Sequence, residues 1–223
     1  MSLDTAFTED TFDKKKQEND PTACSVWGLF EYEKKLNVML LDCWEDRLGF
    51  PALQKRVKKE RVLTYGDRDE PKLKAKIGGP MHQGRKPDLL LIEEKGSGIS
   101  LRQALAVENI FTESYNPHDM DKLARLHKVS PMFAHGRVWA VESDGRPGKP
   151  KTWANPLISQ VCSYVGEGSI QHDDLLDTTT QALMVYMDKF FGPLEFKQDV
   201  EELLRQRAIA RIKKLQSKNP YAQ

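Results

Sequence analysis

The chain of 223 residues has three cysteines, Cys24, Cys43 and Cys162, widely spaced and without a C-x-x-C pair. That argues against a zinc ribbon and a thioredoxin-like motif, and it fits reduced thiols in a cytosolic protein. No apolar run approaches the roughly 20 residues of a membrane span. No basic and apolar leader precedes the first strand-like residues, so no secretory signal is read. The five histidines include no H-E-x-x-H and the glycines no G-x-S-x-G, which argues against a zinc hydrolase and a serine hydrolase. Gly79 to Lys86 has the glycine spacing of a P-loop, but it lacks the Lys-Ser/Thr ending and no strand precedes it. Charge of either sign is not in excess: 34 basic and 33 acidic side chains leave +1, so only a local basic concentration could point to a polyanionic partner.

What is present is an alternation of short apolar runs and helical stripes. Residues 3–7 read as a strand, entered so abruptly that the chain looks like a domain excised from a longer protein, with Met1 and Ser2 a cloning scar. Thr8 to Pro21 has the composition of a mobile loop. Two apolar runs, from Ala23 to Tyr32 and from Leu36 to Trp44, joined by Glu33-Lys34-Lys35, predict a hairpin, so the chain opens with three antiparallel strands. Phe50-Pro51 starts a helix, and Gly66 to Pro87 is a basic, breaker-rich connection. Asp88 to Glu93 is a buried strand; Gly96-Ser97-Gly98 then leads into a helix over Ile99 to Ala106 and a strand within Asn109 to Tyr115, a βαβ unit.

Further along, the pattern predicts a helix from Met120 to His135 interrupted near Pro131, a strand at Arg137 to Val141, a loop at Ser143 to Lys151, and a helix capped by Asn155-Pro156. The strongest helix runs from His172 to Phe191, with Leu176, Leu183, Tyr186, Met187 and Phe190 on one side. An amphipathic basic helix from about Leu194 to Leu215 closes the chain. The order predicts an α/β fold with a mixed central sheet, divided into a domain at 1–193 and a basic tail at 194–223.

Three acidic stations stand out. Asp4 sits in an apolar strand, where a carboxylate is costly to bury without a partner, although an exposed aspartate in a frayed terminus is the plainer explanation. Glu93-Glu94 end a buried strand beside a glycine turn, where ligands of α/β sheets bind; by alternation Glu93 shares a face with Leu89 and Leu91, and Glu94 with Leu90 and Ile92. His172-Asp173-Asp174-Leu175-Leu176-Asp177 opens the strongest helix with more acid than capping and the helix dipole require, Asp174 and Asp177 lying on one face. Carboxylates from all three stations without a Cys partner describe a hard-cation site for Mg²⁺ or Mn²⁺; two such ions about 4 Å apart support phosphodiester hydrolysis. Lys95 is placed to steady charge there, or is a plain surface lysine. Of three basic clusters, the one at Lys72, Lys74, Lys76, Arg85 and Lys86 leads into the Glu93 strand and is the best candidate for gripping DNA phosphates.

Leu-Asp-Thr-Ala-Phe at 3–7, Leu-Leu-Ile-Glu-Glu-Lys-Gly-Ser-Gly at 90–98 and His-Asp-Asp-Leu-Leu-Asp at 172–177 resemble the nuclease domain of tailed-phage terminase large subunits. So do Asp121 to Arg125, and Val129 to Phe133 leading to Gly136-Arg137-Val138-Trp139. The resemblance implies an RNase H-like fold and an endodeoxyribonuclease that cuts concatemeric viral DNA with two divalent metals. It implies metal-binding acids at Asp4, Glu93 and Asp174, with Asp173 and Asp177 as substitutes or assistants and with Glu94, Lys95 and His172 as possible helpers. It also implies double-stranded DNA, an ATPase motor of the same polypeptide, a portal and a small terminase subunit as partners, in the cytoplasm of an infected bacterium. The rival readings are another RNase H-like nuclease, of resolvase or transposase type, and a non-catalytic DNA-binding or assembly module with this fold.

Overall fold

A computed structural model describes residues 1–6, 21–65, 84–117 and 120–191. The loop expected at 8–21, except Pro21, most of the basic connection at 66–87 and the closing helix at 194–215 lie outside these residues. The described chain runs β1 (Ser2–Asp4), β2 (Thr22–Tyr32), β3 (Lys35–Asp46), α1 (Phe50–Val62), β4 (Leu91–Glu93), α2 (Gly96–Val107), β5 (Glu113–Tyr115), α3 (Lys122–Ala134), β6 (Val138–Ala140), β7 (Glu142–Ser143), β8 (Arg146–Pro150), α4 (Asn155–Ser163) and α5 (Asp174–Tyr186), which passes into a π-helical turn, Met187–Phe191.

Six strands form one sheet in the order β5-β4-β1-β2-β3-β6. The expected hairpin is present: β2 and β3 pair antiparallel from Thr22↔Asp46 to Tyr32↔Lys35, and β1 pairs antiparallel to β2. Glu33 and Lys34 turn the hairpin with φ of 50° and 59°. The βαβ unit is also present, since β4 lies parallel to both β1 and β5. The result is the expected mixed sheet, antiparallel strands followed by parallel ones.

Each face of the sheet carries its own core, because successive side chains on a strand point to opposite sides. Leu3, Cys24, Val26 and Ile92 meet Leu53 and Val57 of α1 and Leu101 and Leu105 of α2. Ala23, Val38, Leu40 and Leu91 lie in the other core, with Val129 and Met132 of α3, Leu157 of α4 and Leu175, Leu176 and Leu183 of α5. Ser2 and Asp4 flank Leu3, and Glu93 follows Ile92, so these three fall on the α5 side.

Helix α5 differs from the one-sided stripe expected of it. Every residue from Leu175 to Met184 is buried, Gln181 and three consecutive threonines included. The threonine hydroxyls are satisfied within the helix: Thr178 and Thr179 donate to the Leu175 carbonyl at 3.0 and 2.7 Å, and Thr180 to that of Asp177 at 3.1 Å. Such back-bonding lets small polar residues sit where a central helix has no solvent side.

Other expectations shift. Pro131 lies inside α3 without ending it. The predicted loop at 143–151 is a short hairpin, β7 with β8. Helix α4 has Ala154 rather than Asn155 as its N-cap, after a 3-10 turn at Thr152–Ala154. α5 starts at Asp174, two residues later than expected.

Burial predicts the energetic ranking of substitutions. Leu183→Ala, at a site with 0% exposure, is expected to cost about 2–5 kcal/mol in urea denaturation. Val107→Ser, at a site 85% exposed, should stay within about 0.5 kcal/mol of the parent.

Candidate active site

The parallel pair β1 and β4 ends in two carboxylates. Asp4 is the last residue of β1 and Glu93 the last of β4, and both point from the same end of the sheet toward α5. The ends are fastened together. Thr5 Oγ1 and Ser97 Oγ are 2.9 Å apart, and the Ser97 hydroxyl also donates to the Thr5 carbonyl. Ala6 N–H donates to Thr22 Oγ1 at 3.2 Å, and that hydroxyl donates back to the Ala6 carbonyl at 3.0 Å. The Gly96-Ser97-Gly98 turn therefore does more than begin α2: it ties the Glu93 end of β4 to the Asp4 end of β1. Gly98 permits the fit, because a Cβ there would lie 2.0 Å from the Glu93 carbonyl oxygen.

Glu93 is 3% exposed. Its Oε2 accepts from Gln181 Nε2 at 3.2 Å, while Gln181 Oε1 accepts from the Ser2 hydroxyl at 3.1 Å, so one α5 side chain bridges β4 and β1. Lys95 Nζ lies 2.6 Å from Glu93 Oε1, a charge contact without hydrogen-bond alignment, and the lysine is 70% exposed. Glu94 lies on the opposite side, with Arg102 of α2 at 3.4 Å. Strand alternation thus separates the adjacent acids, and Glu93 is the one that joins Asp4.

The third station arrives on the first two turns of α5. Asp177 is buried, its Oδ1 2.8 Å from Arg125 Nη2 and its Oδ2 2.9 Å from Lys122 Nζ. Lys122 also reaches Asp173 Oδ1 at 2.5 Å. Asp174 is partly exposed in the same turn. The stations influence one another: burial pushes the Asp4 carboxyl well above the usual aspartate range, and Glu93, Asp177 and Asp174 push it further, with Glu93 also acting through a hydrogen bond. Burial raises Asp177 as well, against the opposing pull of Arg125 and Lys122. Lys122 is held above its ordinary value: burial works against its charge, and Asp177 and Asp173 outweigh that penalty.

His172 is exposed and lines an open groove with Pro21, Glu45, Asp46 and Arg47 at this end of the sheet. Lys72, Lys74 and Lys76 lie outside the described residues. Arg85 bridges in backbone to Tyr65 and pairs with Asp88 at 3.1 Å, ahead of β4 and thus toward the strand end opposite Glu93; Lys86 is exposed next to it. Lys122, Arg125 and Gln181 are site residues that the linear sequence does not single out. Its available signal was the i, i+3 spacing of Lys122 and Arg125 in a helix whose next buried positions, Leu126, Val129 and Met132, are apolar.

A donor set of carboxylates alone has the chemistry for Mg²⁺ or Mn²⁺, and like charges crowded enough to raise one another's pKa are what a cation relieves. Among the described residues no three His, Cys, Asp or Glu side chains are gathered closely enough to form a ligand cage as they stand. The oxygens of Glu93 and Asp177 are faced by Lys95, Lys122 and Arg125 instead.

Fold and site together define an RNase H-like α/β module with its acids at the end of the two central parallel strands. The family model for the terminase RNaseH-like domain matches residues 70–185, and the chain belongs to that family. No curated protein matches the chain.

Two outcomes follow. With a chelator present, Asp4→Asn should stabilise the protein at neutral pH. The raised pKa of Asp4 means its protonated form is favoured in the fold, a contribution present at acid pH and lost as pH rises through the raised value. The advantage of the variant should therefore shrink as pH falls toward 3.8, measured by urea denaturation across pH. Gly98→Ala should cost more than about 2 kcal/mol, because backbone rather than a flexible side chain must yield.

Proposed function

We propose that this domain is the metal-dependent endodeoxyribonuclease of a viral DNA-packaging terminase large subunit, hydrolysing phosphodiester bonds of concatemeric double-stranded DNA. The observation that carries the reading is that carboxylates from β1, β4 and the start of α5 lie on one face of an RNase H-like sheet, near enough to act on the Asp4 carboxyl though not drawn into a cage as they stand. Asp4, Glu93 and Asp174 are the proposed metal ligands, with Asp173 and Asp177 as substitutes or assistants. Bound by these residues, a pair of Mg²⁺ or Mn²⁺ ions would supply an activated water and positive charge for the scissile phosphate.

The chain's own residues set the stage. Gln181 holds Glu93 through Oε2 and leaves the Oε1 side toward Lys95. Lys95, largely in solvent, is within reach of an incoming phosphate. The Thr5–Ser97 contacts keep the two strand ends in register while DNA binds. Residues 1–193 form the nuclease module in this reading, and 194–223 a basic appendage. Lys72, Lys74, Lys76, Arg85 and Lys86 are the candidates for gripping the duplex backbone. An ATPase motor of the same polypeptide, a portal and a small terminase subunit are the partners, in the cytoplasm of an infected bacterium.

Supercoiled plasmid incubated with the protein and Mn²⁺ should be nicked. Asp4→Ala, Glu93→Gln and Asp174→Ala should each reduce the rate by about 100-fold or more, as expected when a group engaged in the transition state is removed. Glu94→Gln should retain most of it. No nicking at high protein concentration, or nicking unchanged in all three variants, would leave a non-catalytic module with this fold.

A further inference from the structure

We propose that Lys122 is an exchangeable counter-cation of the carboxylate cluster: it binds Asp177 and Asp173 in the absence of divalent metal and is displaced when metal binds, whereas Arg125 stays in place. The inference rests on the proposed metal-dependent reading of the site and concerns how that site is kept ready.

Asp177 carries a cation on each oxygen, and the two cations differ in their freedom. Arg125 is 3% exposed and bonds Oδ1 at 2.8 Å. Its guanidinium is buried, with Nε and Nη1 making no hydrogen bond among the described residues and with Tyr115 also beside it, so it is held in the interior. Lys122 is 32% exposed and stands at the first position of α3, just after the Asp121 N-cap. Its ammonium bridges two carboxylates at 2.5 and 2.9 Å, yet its flexible stem can return it to solvent. Arg125 anchors the start of α5 to α3; Lys122 neutralises charge that a metal would otherwise neutralise.

The charges facing this point come from every element around it. Asp4 comes from β1, Glu93 from β4, and Asp173, Asp174 and Asp177 from the start of α5; Lys95, Lys122 and Arg125 oppose them. Five acidic groups face three basic ones, and a divalent ion can offset the difference. A divalent ion and the Lys122 ammonium would repel if both sat at Asp177 Oδ2, so their occupancies compete. Held by Lys122 and Arg125, the buried Asp177 is not left uncompensated.

The test uses the full 223-residue chain and Mn²⁺ binding measured by calorimetry without DNA. Lys122→Met keeps the aliphatic stem and removes the charge. It should bind Mn²⁺ about tenfold more tightly than the parent, as removal of one nearby like charge implies. Without metal its melting temperature should fall, and Mn²⁺ should raise it by more than it raises that of the parent. Lys128→Met, on an exposed turn of α3, should leave the affinity unchanged. A second measurement does not depend on the variant folding: in nitrogen-detected NMR of the parent, Mg²⁺ should abolish the Lys122 Nζ signal and leave that of Arg125 Nε. Equal or weaker binding by Lys122→Met, or a Lys122 signal that survives saturating Mg²⁺, overturns the inference while leaving the nuclease reading intact. A parent protein that shows neither heat nor thermal shift with Mn²⁺ overturns the metal-dependent reading itself.

Discussion

Buried carboxylates need compensation, and this requirement organises the acidic end of the sheet. Asp4 and Glu93 are brought side by side by the parallel pairing of β1 with β4, and Asp177 is delivered beneath them by a helix with almost no solvent side. Water cannot supply the missing charge at that depth. Lys122 and Arg125 reach across from α3, Lys95 from the turn after β4, and the Gln181 amide fills the remaining gap between Glu93 and Ser2. The packing of α3 against α5 is thus an electrostatic arrangement as well as an apolar one: Val129 and Met132 lie in the same core as Leu176 and Leu183, and the ion pairs lie at the α5 N-terminus.

The residual repulsion is informative. Burial first, and then Glu93, Asp177 and Asp174, push the Asp4 carboxyl upward, and burial raises Asp177 against the pull of Arg125 and Lys122. A fold selected for stability alone would place fewer acids there, since replacing buried ion pairs by apolar residues is often neutral or stabilising. Strained or perturbed groups gathered at the carboxyl ends of parallel strands are a mark of a functional site, and membership of the terminase RNaseH-like domain family agrees with that.

Local signals were readable where the physics is local. The hairpin followed from two apolar runs and a charged turn, the βαβ unit from a short buried strand and a glycine turn, and the separation of Glu93 from Glu94 from the two-residue period of a strand. Signals failed where tertiary context overrides the local pattern. Pro131 sits inside a helix that apolar packing retains, and the Gly/Pro/Lys stretch at 143–151 pairs as a hairpin despite its loop-like composition. α5 resembled a one-sided helix because its threonines and Gln181 count as polar in sequence, yet back-bonding and the Ser2–Gln181–Glu93 bridge satisfy them in the core.

The sequence by itself determined which residues are acids on strand ends and helix starts, the order of the elements, and the resemblance that named a fold. Periodicity and turn chemistry act over a few residues, so a linear reading reaches them. Only the tertiary structure decided which acids meet and which cations answer them. The pairings of Asp177 with Arg125 and Lys122, and of Thr5 with Ser97, join residues 52, 55 and 92 positions apart. Such contacts depend on how the sheet and helices stack, and no local pattern encodes that.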